Sequence, residues 1–226
     1  MTFAQTNSMA HLIAPSLLSA DFANLSRDLE MIQRSQADMI HLDVMDGCFV
    51  PNISFGFPVI EAVAKNFQKP LDVHLMVVNP DSLVSRMRDA GAHILSVHAE
   101  ASTHLHRTLQ SIRSAGMKAG VAINPHTSLG VLEYVYDITD MVVLMSVNPG
   151  FGGQKFIPST FKKVSDLQQL RQKWGASFQI EIDGGVDLEN ASQLISYGAD
   201  ILVAGNTVFK SDNPIDTIAK LKSSKS

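Results

Sequence analysis

Cysteine is almost absent from this chain of 226 residues; Cys48 is the only one. A single thiol excludes an intrachain disulfide and points to a reducing compartment, here taken as the cytoplasm. Without an evident base beside it, Cys48 is expected to be a small filler rather than a nucleophile. Long apolar runs are missing too, since nothing approaches the ~18 residues needed to cross a bilayer, and no membrane partner is expected. Residues 1–11 lack the charged start and long apolar run of a signal peptide, and are expected to form a disordered N-terminal extension. Nor is there a basic cluster. Lys and Arg number 18 against 22 Asp and Glu, giving a net charge of −4, which argues against nucleic acid as a partner. A mildly acidic chain can still bind an anion where backbone N–H groups and helix ends supply local positive potential.

Eight apolar runs of strand length recur instead, at 12–18, 38–44, 71–77, 93–98, 118–123, 141–147, 178–183 and 201–204. They do not alternate cleanly, as expected of parallel strands buried on both faces. Helical stripes lie between them: Leu25, Leu29 and Ile32; Leu83, Met87 and Ala90; Phe161, Val164, Leu167 and Leu170; Leu188, Ala191, Leu194 and Ile195. Gly91, Gly116 and Gly198 sit where helices would end, and Asp187 is placed to cap a helix start. Eight β-then-α units leave no room for a second domain, so the expected architecture is α/β, a single-domain (β/α)8 TIM barrel over residues 12–226. An open doubly wound sheet is the alternative, but it does not easily gather chemically loaded residues from strands across the whole chain. The fragments Ala37-Asp38, Gly91-Ala92-His93 and Gly198-Ala199-Asp200 recur ahead of strands and hint at a repeated βα unit.

Two strand ends carry carboxylates, His41-Leu42-Asp43-Val44-Met45-Asp46-Gly47 and Glu181-Ile182-Asp183-Gly184-Gly185, and a third, Leu71-Asp72-Val73-His74-Leu75-Met76, adds a histidine. Residues i and i+2 of a strand share a face, so His41 projects with Asp43, Asp72 with His74, and Glu181 with Asp183. Two histidines and two aspartates from separate strand ends suggest one divalent-metal site, with carboxylates available for proton transfer. That donor set suits zinc, iron, manganese or cobalt. Glycine-rich stretches follow the last three strands, at 148–154, 183–185 and 204–207. Bare backbone at the loops after strands 7 and 8 is the usual phosphate position of this barrel, and the 148–155 loop is long enough to act as a lid. Met45, Met76 and Met145 each lie near a strand end, where core packing is their ordinary role. Ser16, after Ala14-Pro15, could hydrogen-bond a substrate hydroxyl.

Taken in order, Ala14-Pro15-Ser16-Leu17-Leu18, His41 to Gly47 with Phe49-Val50-Pro51-Asn52, Asp72 to Val77, Asn148 to Lys155 and Glu181 to Gly185 closely resemble the ribulose-phosphate 3-epimerase family. The resemblance spans about Leu12 to Leu221. It implies a metal-dependent enzyme interconverting D-ribulose 5-phosphate and D-xylulose 5-phosphate in the pentose phosphate pathway, by two-base proton transfer at C3 through a cis-enediolate. It assigns one divalent ion per subunit, zinc foremost, to His41, Asp43, His74 and Asp183, with Asp43 and Asp183 as the acid/base pair. Ser16, His74, Met45, Met76, Met145 and Gly150 are assigned to the substrate, and Gly152, Gly153, Gly184, Gly185, Gly205 and Asn206 to its phosphate end. Asn206 departs from the family's usual serine, but its amide can still donate. A homo-oligomer, dimer or hexamer, is implied as well.

Three other readings compete. The same chemistry on D-allulose 6-phosphate shares the His-Leu-Asp-Val-Met-Asp-Gly motif. A phosphosugar decarboxylase needs the lysine of an Asp-x-Lys-x-x-Asp pattern, and Met45 occupies that position. A non-catalytic phosphosugar-binding barrel has no use for two histidines and two aspartates converging beside a phosphate loop.

Overall fold

The structure is a computed structural model and describes residues 11–225. Its strands are β1 (Leu12–Pro15), β2 (Ile40–Met45), β3 (Leu71–Met76), β4 (Ile94–His98), β5 (Lys118–Ile123), β6 (Met141–Met145), β7 (Gln179–Asp183) and β8 (Ile201–Ala204). They form one sheet in the order β1-β8-β7-β6-β5-β4-β3-β2, and every pair is parallel. A parallel bridge between Ser16 and His41, and the Asp38 N–H donating to the Ile13 carbonyl at 2.9 Å, join β1 to β2. The sheet thereby curls into the expected (β/α)8 barrel. Outside it lie α1 (Leu25–Arg34), α2 (Phe57–Asn66), α3 (Val84–Asp89), α4 (Leu105–Ser114), α5 (Ser159–Trp174), α6 (Ala191–Ser196), α7 (Asn206–Phe209) and α8 (Pro214–Lys222).

Side-chain alternation separates two interiors. Ile13, Leu42, Val73, Leu95, Val121, Val142, Ile180 and Leu202 point outward into the layer beneath the helices. Ala14, Ile94, Ala122, Met141, Val143, Met145, Ile201 and Val203 cluster separately, within the barrel. The rest of that inner space is polar. His41, Asp43, Asp72, His74, Ser96, His98, Glu181 and Asp183 are all buried, on β2, β3, β4 and β7. Buried charge on this scale is costly unless it is paired or metal-bound, so these residues, contributed from both sides of the barrel, must meet one another in its interior.

Several elements depart from the expected pattern. The β5–β6 connection has no α-helix, only 3-10 turns at Leu129–Leu132 and Tyr136–Ile138. Pro125, Gly130 and the β-branched Val131, Val135 and Ile138 weigh against helix there, while Ser128 caps the first turn by accepting the Gly130 N–H at 3.2 Å. The first strand stops at Pro15 because the Ser16 hydroxyl accepts the Leu18 N–H at 3.3 Å and starts a turn. Leu83 lies in the 3-10 turn Pro80–Leu83 ahead of α3. Leu188 is exposed, not on a helical stripe, because Asp187 accepts the N–H groups of Glu189 and Asn190 at 2.9 Å and delays α6 to Ala191.

The fragments ahead of strands have a shared task. Asp38, His93, Asp140 and Asp200 stand at the entrances to β2, β4, β6 and β8. Their side chains accept N–H groups of the preceding odd-numbered strand, from Ile13 at 2.7 Å, Leu71 at 3.2 Å, Ala119 at 2.8 Å and Ile180 at 2.7 Å. Each satisfies a strand-start donor at the base of the barrel, so the repeated unit is a pair of strands rather than one. Residues 1–10, most of the predicted extension, lie outside the described residues. His11 belongs to the barrel: it is buried, with Nε2 2.8 Å from the Leu221 carbonyl of α8.

Candidate active site

Strand register brings the four predicted ligands together. β2 and β3 pair with His41 beside Asp72 and Asp43 beside His74, while β7 delivers Asp183 from across the barrel. One ligand atom from each of His41, Asp43, His74 and Asp183 lies within 4.8 Å of all the others. His41 Nε2 is 3.4 Å from Asp43 Oδ1 and 3.7 Å from Asp183 Oδ2. His74 Nδ1 is 3.6 Å from Asp43 Oδ1 and 3.3 Å from Asp183 Oδ2. These two ring nitrogens are buried and lack a hydrogen-bond partner. Orphaned imidazole lone pairs facing two carboxylates fit a cation that accepts all four donors. This His/Asp cluster could hold a divalent metal ion.

The electrostatics show the same demand for positive charge. Burial lowers the proton affinity of His41, but Asp43 and Asp72 overcome it and hold the ring well above its usual value. His74 is raised likewise, against burial, by Asp183 and Asp43. Asp43 and Asp183 sit below the carboxylate range, because His41 and His74 outweigh burial and, for Asp183, the repulsion of Asp43. Without an ion, imidazolium protons neutralise the carboxylates.

Above the cluster opens a cavity of about 200 Å³, into which Asp43 and Asp183 reach. Ser16, Met45, Met76, Met145, Gly150, Gly152, Gly153, Gly184, Gly185, Gly205 and Asn206 line it. His41 and His74 are fully buried and do not line it. The Ser16 hydroxyl donates to Asp43 Oδ2 at 2.5 Å, so it orients a carboxylate while facing the cavity. Asn206 occupies the space beside Gly153, where an added Cβ would fall 2.4 Å from its Nδ2. The 148–155 loop is tied down: Asn52 Nδ2 donates to the Gly150 carbonyl at 2.8 Å, and Gln154 Nε2 to the Asn148 and Phe151 carbonyls at 2.6 and 2.9 Å.

Sequence reasoning missed Ser19 and His98, and the work of Asp72 and Glu181. Ser19 lines the cavity from the turn after β1, a position with no motif to signal it. Asp72 Oδ2 lies 2.6 Å from His41 Nδ1, and His98 Nε2 lies 2.9 Å from His74 Nε2. The i, i+2 spacing of Ser96 and His98 on β4 could have flagged the second. Burial pushes the His98 pKa down to about 4. Glu181 is fully buried, and burial together with the Asp72 charge holds its carboxyl well above the usual range. Cys48 is exposed rather than a filler, and its backbone N–H donates to Asp46 at 2.8 Å.

A parallel barrel with buried histidines and aspartates clustered on its inner face, beneath a cavity bounded by glycine-rich loops, defines a (β/α)8-barrel enzyme. The chain belongs to the ribulose-phosphate 3 epimerase family, whose family model matches residues 12–209. It is 49% identical over 214 residues to the ribulose-phosphate 3-epimerase of Bacillus subtilis (strain 168), covering 94% of this chain and 99% of that one. It is 48% identical over 216 residues to the chloroplastic ribulose-5-phosphate-3-epimerase of Arabidopsis thaliana, covering 95% and 77%. Among solved structures, a mutant tryptophan synthase alpha-subunit from Pyrococcus furiosus superposes with a TM-score of 0.68 at 14% identity, covering 95% and 97%, and shows a shared fold. No helix among the described residues is long and apolar enough to cross a membrane.

Proposed function

We propose that this chain interconverts D-ribulose 5-phosphate and D-xylulose 5-phosphate by moving a proton at C3. The observation that carries the reading is the convergence of Asp43 and Asp183, from β2 and β7, on one cavity bounded by glycine loops. Family membership supplies the substrate. Inverting a carbon beside a ketone requires removing its proton and returning one to the opposite face. In one direction Asp43 acts as base while Asp183 in its acid form delivers the second proton; the reverse reaction exchanges the roles. A cis-enediolate lies between the two transfers. Ser16 orients Asp43 through its 2.5 Å hydrogen bond, so the carboxylate meets the substrate without searching rotamers.

His41, Asp43, His74 and Asp183 would hold one divalent ion, with zinc first and iron, manganese or cobalt also fitting. When bound, the ion supplies Lewis-acid stabilisation of negative charge developing on the substrate oxygens. Gly152, Gly153, Gly184, Gly185, Gly205 and Asn206 hold the phosphate through backbone N–H groups and the Asn206 amide, anchoring the substrate away from the reacting carbon. Gly150 in the 148–155 loop, with Met45, Met76 and Met145, excludes water from the reacting face. A cytoplasmic location is supported by the single cysteine, and assembly as a homodimer or hexamer by the family alone.

The test is conversion of ribulose 5-phosphate in heavy water, with metal analysis of untreated protein. Product carrying deuterium at C3 and one divalent ion per chain is the expected result. Epimerisation without solvent label at C3 overturns the two-base scheme, and a kcat/KM higher for D-allulose 6-phosphate overturns the pentose assignment.

A further inference from the structure

One of the cluster's histidines is tied to side chains that take no part in the steps above. His74 Nε2 lies 2.9 Å from His98 Nε2 on β4, and the two rings stack with centroids 5.0 Å apart. On its other side, His98 Nδ1 is 3.1 Å from Glu100 Oε2. The Glu100 carboxylate is fixed in turn, because Oε1 accepts the Asn124 N–H at 2.8 Å and the Thr127 hydroxyl. Both histidines are fully buried, while Glu100 is partly exposed at the mouth of β4.

An ion can bind His74 only once the ring has lost its extra proton, and two neutral imidazoles that share one hydrogen bond cannot then choose tautomers independently. The Glu100 carboxylate only accepts, so it places the His98 proton on Nδ1. His98 Nε2 can then only accept, so His74 must donate from Nε2. That leaves the His74 lone pair on Nδ1, the unpartnered atom 3.3 Å from Asp183 and 3.6 Å from Asp43. We propose that His98 and Glu100 are positioning residues, a two-member relay that fixes the His74 tautomer and readies the four-residue cluster for a divalent cation. The relay rests on the metal reading above. His41 needs no counterpart, since Asp72 accepts its Nδ1 proton directly at 2.6 Å.

Glu100→Gln is the decisive variant. Its single carbonyl oxygen stays with the Asn124 N–H and the Thr127 hydroxyl, which turns the amide NH2 toward His98 Nδ1. Every proton in the chain then reverses, and the His74 proton moves to Nδ1, into the cation position. Zinc affinity, measured on the full chain by competition with a chelator, should fall ~10- to 100-fold while the melting temperature stays within a few degrees. His98→Leu, which removes the acceptor, should show a comparable loss; if it does not fold, Glu100→Gln decides alone. Nitrogen-15 spectra of histidine-labelled, zinc-loaded wild-type protein should place protons on His74 Nε2 and His98 Nδ1, a pattern that packing alone does not impose. Zinc affinity of Glu100→Gln within twofold of wild type, or the reversed tautomers in wild type, overturns the relay. A wild-type chain that takes up no zinc overturns the metal reading itself, and the relay with it.

Discussion

Asp183 is the residue on which the proposed chemistry is most exposed to test. It reaches the cavity from the last residue of β7, and its Oδ2 also faces both histidines. Asn fills the same space but neither takes nor gives the C3 proton, so Asp183→Asn should fold while losing at least ~10³-fold in kcat at saturating zinc. Asp43 is left intact, so proton washout from C3 of one epimer should outpace conversion to the other. Near-normal epimerisation by that variant sinks the two-base scheme. Strand periodicity made the cluster legible as pairs of acidic and histidine side chains sharing a face, and the family resemblance singled out His41, Asp43, His74 and Asp183 among them. Asp72 and Glu181 were visible as same-face neighbours, but their work was not. Whether a buried carboxyl ligates, orients a ring or stays protonated depends on distances across the barrel, which spacing along one strand does not contain.

At the level of elements, the glycine loops are constrained by close packing as well as by conformation. Gly185 has φ +63°, and a Cβ there would fall 2.7 Å from the backbone nitrogen of Phe156, which no side-chain rotation relieves. Gly185→Ala must therefore shift the loop between β7 and α6 against the 148–155 loop. The expected cost is ~1–3 kcal/mol of stability in urea unfolding and a rise in KM of ~10-fold or more, with kcat less affected. An unchanged KM would remove Gly185 from the phosphate site. The β5–β6 connection shows where periodicity ran out. Helix and 3-10 turn carry similar apolar spacing over a few residues, and Ser128, Gly130 and the β-branched positions decided between them locally. The Ala37-Asp38 and Gly198-Ala199-Asp200 fragments were legible as a hint of repetition, yet their purpose lies in cross-strand hydrogen bonds to Ile13 and Ile180.

Closure and ion binding belong to the whole molecule. The last helix secures the first strand: Lys222 Nζ donates to both Asp38 oxygens at 2.8 Å and to the His11 carbonyl at 2.6 Å, and Asp38 in turn holds the Ile13 N–H. Lys222→Ala leaves that half-buried carboxylate unpaired at the β1–β2 seam, so global stability should drop by ~1–2 kcal/mol in a single cooperative unfolding transition. An unchanged midpoint would mean that the seam closes without α8.

Stability and ion binding depend on pH with opposite signs. His41 and His74 hold their protons more tightly in the ion-free fold than at the unperturbed value of 6.5. That stabilisation is complete below about pH 6.5 and is lost as pH rises through the raised folded values. A divalent ion needs the same two nitrogens unprotonated, so its uptake displaces up to about two protons and its affinity climbs over the same interval. Zinc should therefore raise the melting temperature more at pH 8 than at pH 6, with the gap between ion-free and zinc-loaded protein widening steadily. Scanning calorimetry of both forms across that range checks this. A zinc-induced shift that is independent of pH would show that the histidine nitrogens are not where the ion binds.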